Sequence, residues 1–368
     1  MRFRAAVLHE AGQSLTVETV EASPLQPGDV LVRLRASGLC HTDWEVMTGA
    51  LAYPLPIILG HEGAGVVEAI GAQVTSVKPG DHVICSWNPH CGRCFYCERD
   101  QPILCEPFSR HQPRGHLLDG TSRLTLDGRK LHHYSMVCSH AEYCIVPESG
   151  AVAVPKEIPF DRACLIGCGV MTGFGAVTRI AKVAVGASVA VFGAGAVGLN
   201  AVQGARIAGA GPIVAVDLHE GRLALARELG ATDVVNASRS GAAAEIRALT
   251  GGRGADVTIE AAGVVHSLQP ALDATRPGGT LVILGKTRVD AQVPLRWGSL
   301  MGERIITRSS YGGARPQRDF PLLARLYLEG QLKLDELITR RIALDAINEG
   351  FAQLEQGALV RAVITFPG

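Results

Sequence analysis

Two rhythms of apolar and polar positions divide this chain. Up to about residue 170 the apolar residues come in short runs broken by Gly and Pro. Val30, Val32 and Leu34 alternate with Leu31, Arg33 and Arg35, a period-two pattern that predicts a strand. The turn Pro27-Gly28-Asp29 launches it, and Pro79-Gly80-Asp81 repeats that chemistry ahead of His82-Val83-Ile84-Cys85. From about 170 to 312 apolar strands alternate with Ala-rich helical stretches: strands at 188–192, 213–217, 257–260 and 280–284, helices at 196–208 and 220–229. That alternation predicts a doubly wound parallel sheet. The tail from Gly313 returns to mixed structure and ends in a strand-like run at 361–366.

The predicted fold class is therefore α/β with two domains. A β-rich domain comprises residues 1–170 and 313–368, and a Rossmann domain of residues 171–312 is inserted into it. The length of 368 residues agrees, because one core seldom grows that large. Lys+Arg and Asp+Glu balance at 35 each, which removes the basic field that nucleic acid or an anionic membrane would need. The start, MRFRAAVLHEAG, has no apolar signal-peptide core, and no apolar run is read as a membrane span, so a cytoplasmic protein is expected. Ten cysteines in such a chain read as thiols and metal ligands rather than disulfides. Cys85, Cys138, Cys144 and Cys164 sit among small or apolar residues and are expected to be buried and inert.

Chemistry enters at three places. GAGAVG puts Gly193, Gly195 and Gly198 in GxGxxG register between a predicted strand and helix, and Asp217 ends the next strand. In that context the motif predicts a dinucleotide site: glycines for the turn, the phosphate approach and helix packing, and the carboxylate for the ribose. Asp217 favours NAD over NADP, and Arg222 could flank the same ribose. CGRCFYCERDQPILC places Cys91, Cys94, Cys97 and Cys105 within one short stretch, about 88–108. All four match a closed Cys₄ zinc site. A zinc ribbon would need two separated CxxC knuckles, and a ferredoxin run would need its last cysteine sooner. Finally, GLCHTD, GHEGAG and GCGVMTG supply Cys40, His61 and Cys168, two thiols and an imidazole that could hold a zinc with one open position.

Taken in order, GLCHTD, GHEGAGVV, the four-cysteine lobe, DGTSR, LHHY, GCGVMTG, GAGAVG and RAVITF resemble the zinc-dependent medium-chain alcohol dehydrogenases from end to end. The resemblance implies a GroES-like catalytic domain beside the Rossmann domain, NAD as cofactor, and two Zn²⁺ per subunit, one catalytic and one structural. It makes Cys40, His61 and Cys168 the catalytic zinc ligands, Asp43 the carboxylate that orients His61, and Glu62 a possible transient ligand. Thr42 would hydrogen-bond the alcohol oxygen, and Glu45, where many relatives carry a histidine, is a candidate end of the proton relay. His41, Thr172, Val197 and Arg361 join the glycines, Asp217 and Arg222 as cofactor contacts.

Leu51, Trp87, Arg110 and Tyr134 are the pocket residues the resemblance implies. Two aromatics favour oxidation of an aromatic, allylic or medium-chain primary alcohol to the aldehyde. The alternative, S-(hydroxymethyl)glutathione (formaldehyde) dehydrogenase, is expected to carry acidic residues after CHTD, where this chain reads Gly49-Ala50-Leu51-Ala52-Tyr53. A non-catalytic NAD-binding sensor on the same fold would be expected to have lost zinc ligands. The 110–130 loop resembles the branch that forms homodimers rather than homotetramers.

Overall fold

The computed structural model describes residues 1–239, 241–288, 290–357 and 359–367. The chain divides into two units, Met1–Cys168 with Arg315–Gly368, and Gly169–Ala314.

Among the described residues the first unit holds two sheets. One runs in the order Arg129–Lys130, Leu124–Leu126, Thr16–Ala22, Arg2–Leu8, Ile57–Ile58, His132–His133. The other runs Ala151–Ala153, His82–Cys85, Glu62–Ile70, Asp29–Gly38, Arg361–Thr365, Ile338–Ile342, with Tyr143–Pro147 also on Asp29–Gly38. The predicted strand at 30–35 is longer, Asp29–Gly38, because it is extended by pairing with Glu62–Ile70 on one side and Arg361–Thr365 on the other. Its two faces enter different cores. Val30, Val32 and Leu34 pack with Val67, Val83 and Phe351, whereas Leu31 packs with Phe3, Val20 and Ile145. Burial on both faces explains why Leu31, placed on the polar face by alternation, is buried.

The second unit is a parallel sheet in the order Asp233–Asn236, Ile213–Asp217, Val189–Phe192, Ala255–Glu260, Thr275–Ile283, Ile305–Arg308. Numbered along the chain this is 3-2-1-4-5-6, with the switch between Val189–Phe192 and Ala255–Glu260. Asp233–Asn236 and Ile305–Arg308, the two edge strands, lie outside the sequence reading; being only partly buried, they lack the continuous apolar run of the inner strands. The helix Phe160–Ile180 is long and apolar enough, by length and composition, to cross a membrane. Its most apolar window is 72% buried inside the protein, so its apolarity serves the core. Its Gly residues, which interrupt the apolar run in sequence, are packing points: a Cβ on Gly167 would lie 3.1 Å from the carbonyl of Cys85.

Candidate active site and metal centres

Three separate stretches of the first unit deliver two thiols, an imidazole and a carboxylate to one point. Cys40 precedes the helix His41–Met47, and Asp43 in its first turn accepts the Cys40 N–H at 3.2 Å. His61 and Glu62 open the strand Glu62–Ile70, opposite Gly38 at the end of Asp29–Gly38. A Cβ at Gly38 would fall 2.2 Å from Glu62 Oε2, so only glycine there admits the carboxylate. Cys168 lies in a π-turn, Ile166–Val170, inside the long helix, the kind of irregularity that often marks functional positions. Donor atoms of Cys40, His61, Glu62 and Cys168 all lie within 4.8 Å of one another.

His61 is oriented by Asp43, whose Oδ1 lies 3.1 Å from His61 Nδ1. Oδ1 also accepts the Gly60 N–H at 3.0 Å. With Nδ1 so engaged, Nε2 is the atom His61 offers to a metal. The electrostatics ask for a cation. The hydrogen bond from the Cys168 thiol, helped by His61 and Arg361 against burial, holds Cys40 well below an ordinary thiol. The same bond and burial push Cys168 well above it, because two adjacent thiols do not both ionise unaided. Burial, only partly offset by Arg361, pushes Glu62 up to about 8. A zinc binds the ionised form of such ligands, at roughly 2.0–2.3 Å from each, and so fits this donor set.

The other predicted residues fall around this cluster in different ways. Thr42 Oγ1 is 3.8 Å from Cys40 Sγ. Glu45 is half-buried on the same helix, and His41 is exposed with its ring against Trp44 at 5.6 Å. Arg361 is buried: Nη1 donates to the Leu39 carbonyl at 2.9 Å and Nη2 lies 3.0 Å from Glu62 Oε1. Its described contacts are thus turned inward. Tyr134 is 1% exposed, with its ring edge-on to His61 at 5.6 Å and its hydroxyl 3.4 Å from the Thr42 carbonyl. Leu51 and Trp87 are half-buried and Arg110 is exposed.

Sequence reasoning overlooked Tyr53, whose ring meets Tyr134 at 5.1 Å and whose hydroxyl accepts from Gln112. It also overlooked His140, fully buried with Nε2 3.9 Å from Asp43 Oδ2. Burial pulls His140 down to about 4, so its ring is neutral with a single N–H. Neither residue belongs to a motif; a histidine among apolar neighbours was the one available signal.

The four cysteines of the second cluster, Cys91, Cys94, Cys97 and Cys105, also gather within 4.8 Å. The intervening Arg93, Glu98, Arg99 and Asp100 are exposed. The Glu106 backbone N–H, above all, lowers Cys94 to about 6, while burial raises Cys105 to about 12. Four sulfurs fill a tetrahedron and leave no position for a substrate.

In the second unit the strand Val189–Phe192 leads through the glycine loop into the helix Ala196–Ile207. Gly193 has φ +91°, and a Cβ there would sit 2.6 Å from the Ala262 nitrogen. A Cβ on Gly198 would sit 1.8 Å from the Gly193 carbonyl, whereas one on Gly195 would meet nothing within 4 Å. The loop is therefore closed behind and open above the helix N-terminus, the form that suits a pyrophosphate. Asp217 Oδ2 accepts the Ala194 N–H at 2.7 Å, tying the acidic residue to the loop, and Arg222 Nη1 is 4.0 Å away. Thr172 and Val197 are half-buried on their helices. Glu260, also overlooked, is buried at the end of Ala255–Glu260 and accepts from Ala262 N, Gly263 N and Ser267 Oγ at 2.7–2.9 Å.

Residues 26–156 match the alcohol dehydrogenase GroES-like domain, and residues 196–329 match the zinc-binding dehydrogenase domain. An S-(hydroxymethyl)glutathione dehydrogenase of Paracoccus denitrificans is 40% identical, with 100% of each chain covered. The class-3 alcohol dehydrogenase of Drosophila melanogaster is 37% identical over 99% of this chain and 97% of its own. Among solved structures, the benzyl alcohol dehydrogenase of Acinetobacter calcoaceticus covers 100% of both chains with a TM-score of 0.95 at 33% identity. With both family models matched and full-length relatives at up to 40% identity, the chain belongs to the zinc- and NAD-dependent medium-chain alcohol dehydrogenase family.

Proposed function

We propose that this enzyme oxidises a hydroxymethyl group, that of S-(hydroxymethyl)glutathione to the S-formyl thioester or that of a primary alcohol to the aldehyde, with a catalytic zinc held by Cys40, His61 and Cys168. Glu62 is a possible transient ligand, and Cys91, Cys94, Cys97 and Cys105 hold the structural zinc. The observation that carries this reading is the convergence of two thiols, an oriented imidazole and Glu62 within 4.8 Å. Bound there, zinc supplies a Lewis acid for an alcohol oxygen, and NAD supplies the hydride acceptor. The chain's own residues do the rest. Asp43 holds His61 in the tautomer that presents Nε2. Thr42, beside Cys40, takes the alcohol proton toward solvent, with Glu45 as the outer acceptor. Gly193, Gly195, Val197 and Gly198 hold the pyrophosphate and Asp217 and Arg222 the ribose, with His41 and Thr172 as further cofactor contacts; Arg361, expected among them, is instead turned toward Glu62 and the Leu39 carbonyl. The enzyme is read as a cytoplasmic homodimer.

S-(hydroxymethyl)glutathione takes first place as substrate. Curated relatives of that name or of class 3, 37–40% identical over nearly the full length, support it. An aryl alcohol is the second reading. It is favoured by Leu51 and Trp87 together with the lack of a carboxylate between Gly49 and Pro56, and by the benzyl alcohol dehydrogenase neighbour. Comparing kcat/KM for hydroxymethylglutathione and benzyl alcohol at fixed NAD decides between them. A benzyl alcohol value ten times the higher overturns the first reading, and turnover of neither substrate overturns both.

A further inference from the structure

Behind the Asp43–His61 pair lies a dry polar cluster that the reaction, as derived above, does not use. Ser37, Asp43, Ser139 and His140 are each 0% exposed. Ser37 Oγ is 2.7 Å from Ser139 Oγ and 3.0 Å from His140 Nδ1. Among the described residues His140 Nε2 has no hydrogen-bond partner, and it lies 3.9 Å from Asp43 Oδ2. The ring has little freedom to turn away. Its backbone N–H donates to Leu59, its carbonyl accepts from Ala6, and its face meets Phe351 edge-on at 5.8 Å. Gly60 is required to be glycine here: its φ is +91°, and a Cβ would lie 2.5 Å from the His140 backbone nitrogen and 2.6 Å from both His140 Nδ1 and Ser139 Oγ.

The direction of the hydrogen bonds follows from charge. If Nδ1 donated to Ser37, the bare lone pair of Nε2 would face a carboxylate in a region without water, which is repulsive. If Ser139 donates to Ser37 and Ser37 donates to Nδ1, the single ring proton sits on Nε2 and faces Oδ2. The second arrangement satisfies both hydroxyls and turns a dipole favourably toward Asp43. At 3.9 Å this is an ion–dipole contact, longer than a hydrogen bond. Asp43 then has N–H groups on every described side: Gly60 and His61 at Oδ1, Cys40 and His140 at Oδ2.

We propose that His140, set in its tautomer by Ser37, is a positioning residue for the metal ligand His61 and acts through Asp43. The inference rests on the reading of His61 as a zinc ligand. The group that directly holds a ligating histidine, here Asp43, commonly accounts for 10–100-fold in metal binding, and His140 acts on that group.

The test is zinc release from the purified holoenzyme into excess chelator, with the Cys₄ site as an internal reference in the same molecule. His140→Phe keeps the ring packing and removes the N–H; it is expected to release one of two zincs at least about tenfold faster, leaving the other unchanged. His140→Gln, which retains an N–H at the Nε2 position, is expected to restore most of the retention. Ser37→Ala, a small change that spares the ring, is expected to shift release in the same direction as His140→Phe. Two zincs released at wild-type rates in both His140→Phe and Ser37→Ala overturn the role of His140 alone. One zinc per chain in the wild type overturns it together with the reading of Cys40, His61 and Cys168 as a metal centre.

Discussion

Two glycines three residues apart in one motif are expected to fail in different ways when each becomes alanine. At Gly198 the new Cβ would lie 1.8 Å from the Gly193 carbonyl, where ordinary contact begins near 3.4 Å. The neighbour is backbone in a tight turn, so the helix Ala196–Ile207 has to move off the strand. Overpacking of this kind costs about 1–3 kcal/mol, and a backbone clash belongs at the upper end. For a domain of this size about 3 kcal/mol corresponds to a Tm lower by roughly 6–12 °C. At Gly195 a Cβ meets nothing within 4 Å, and φ −76° with ψ −177° is open to any residue. The lost N-cap preference and the reduced freedom of the unfolded chain oppose each other at about 0.5–1 kcal/mol each. The Tm of Gly195→Ala should therefore stay within about 2 °C of wild type. The methyl group occupies the space above the loop, however, and denies a phosphate at least one charge-assisted bond of about 1.5–3 kcal/mol. NAD should bind about 10–100-fold more weakly. Calorimetric titration with NAD and a thermal melt on both variants check this. Gly195→Ala binding NAD within twofold of wild type refutes the loop as the phosphate site, and Gly198→Ala melting at the wild-type temperature refutes the packing account.

Other predictions follow from different parts of the molecule. Burial lowers His133 to about 3, and its Nε2 accepts the Arg123 N–H at 3.2 Å. The unfolded chain takes up this proton below about 6.5 and the folded one does not, so stability falls as pH drops from there toward 3, by about 2 kcal/mol at pH 5. Denaturant titrations at pH 7.5 and 5 should show His133→Gln losing about 2 kcal/mol less than wild type, and equal losses would contradict it. Cys94→Ser should bind one zinc fewer per chain and lose about 4 kcal/mol or more. The primary deuterium isotope effect of the folded fraction should stay unchanged, and a changed effect would give the lobe a part in the chemistry. Ile305, on the edge strand Ile305–Arg308, is 57% exposed. On the proposed homodimer reading, with this edge as its interface, Ile305→Glu should shift the sedimenting species from dimer to monomer; a variant that sediments as the wild type refutes this edge as the interface.

What could be read from the sequence was whatever chemistry stays local. The glycine loop is legible because strand, turn and helix follow one another, and 3.6-residue and two-residue periods switch at the motif itself. The Cys₄ lobe is legible because its ligands share one short stretch. Cys40, His61 and Cys168 come from three separate stretches; their donor types made a zinc site readable, and the resemblance of the whole chain assigned it. The structure adds what makes them work together, and those parts carry no motif. Gly38 makes room for Glu62, a π-turn displays Cys168, and His140 faces Asp43 from a strand-free segment.

Arg361 shows where sequence reasoning runs out in physical terms. The resemblance makes Arg361 a cofactor contact, and nothing in the sequence around it says otherwise. The fold supplies a competitor: the strand Arg361–Thr365 pairs with Asp29–Gly38, whose last residue lies opposite Glu62. That register brings a guanidinium within 3.0 Å of a fully buried carboxylate. A buried carboxylate without a counter-charge costs several kcal/mol, whereas an exposed cation forgoes about 1 kcal/mol or less by leaving a surface pair. The inward contact wins on those magnitudes. Arg361→Met should then raise Glu62 further and weaken zinc retention at Cys40 and Cys168, a consequence read by metal release that no phosphate contact alone would produce.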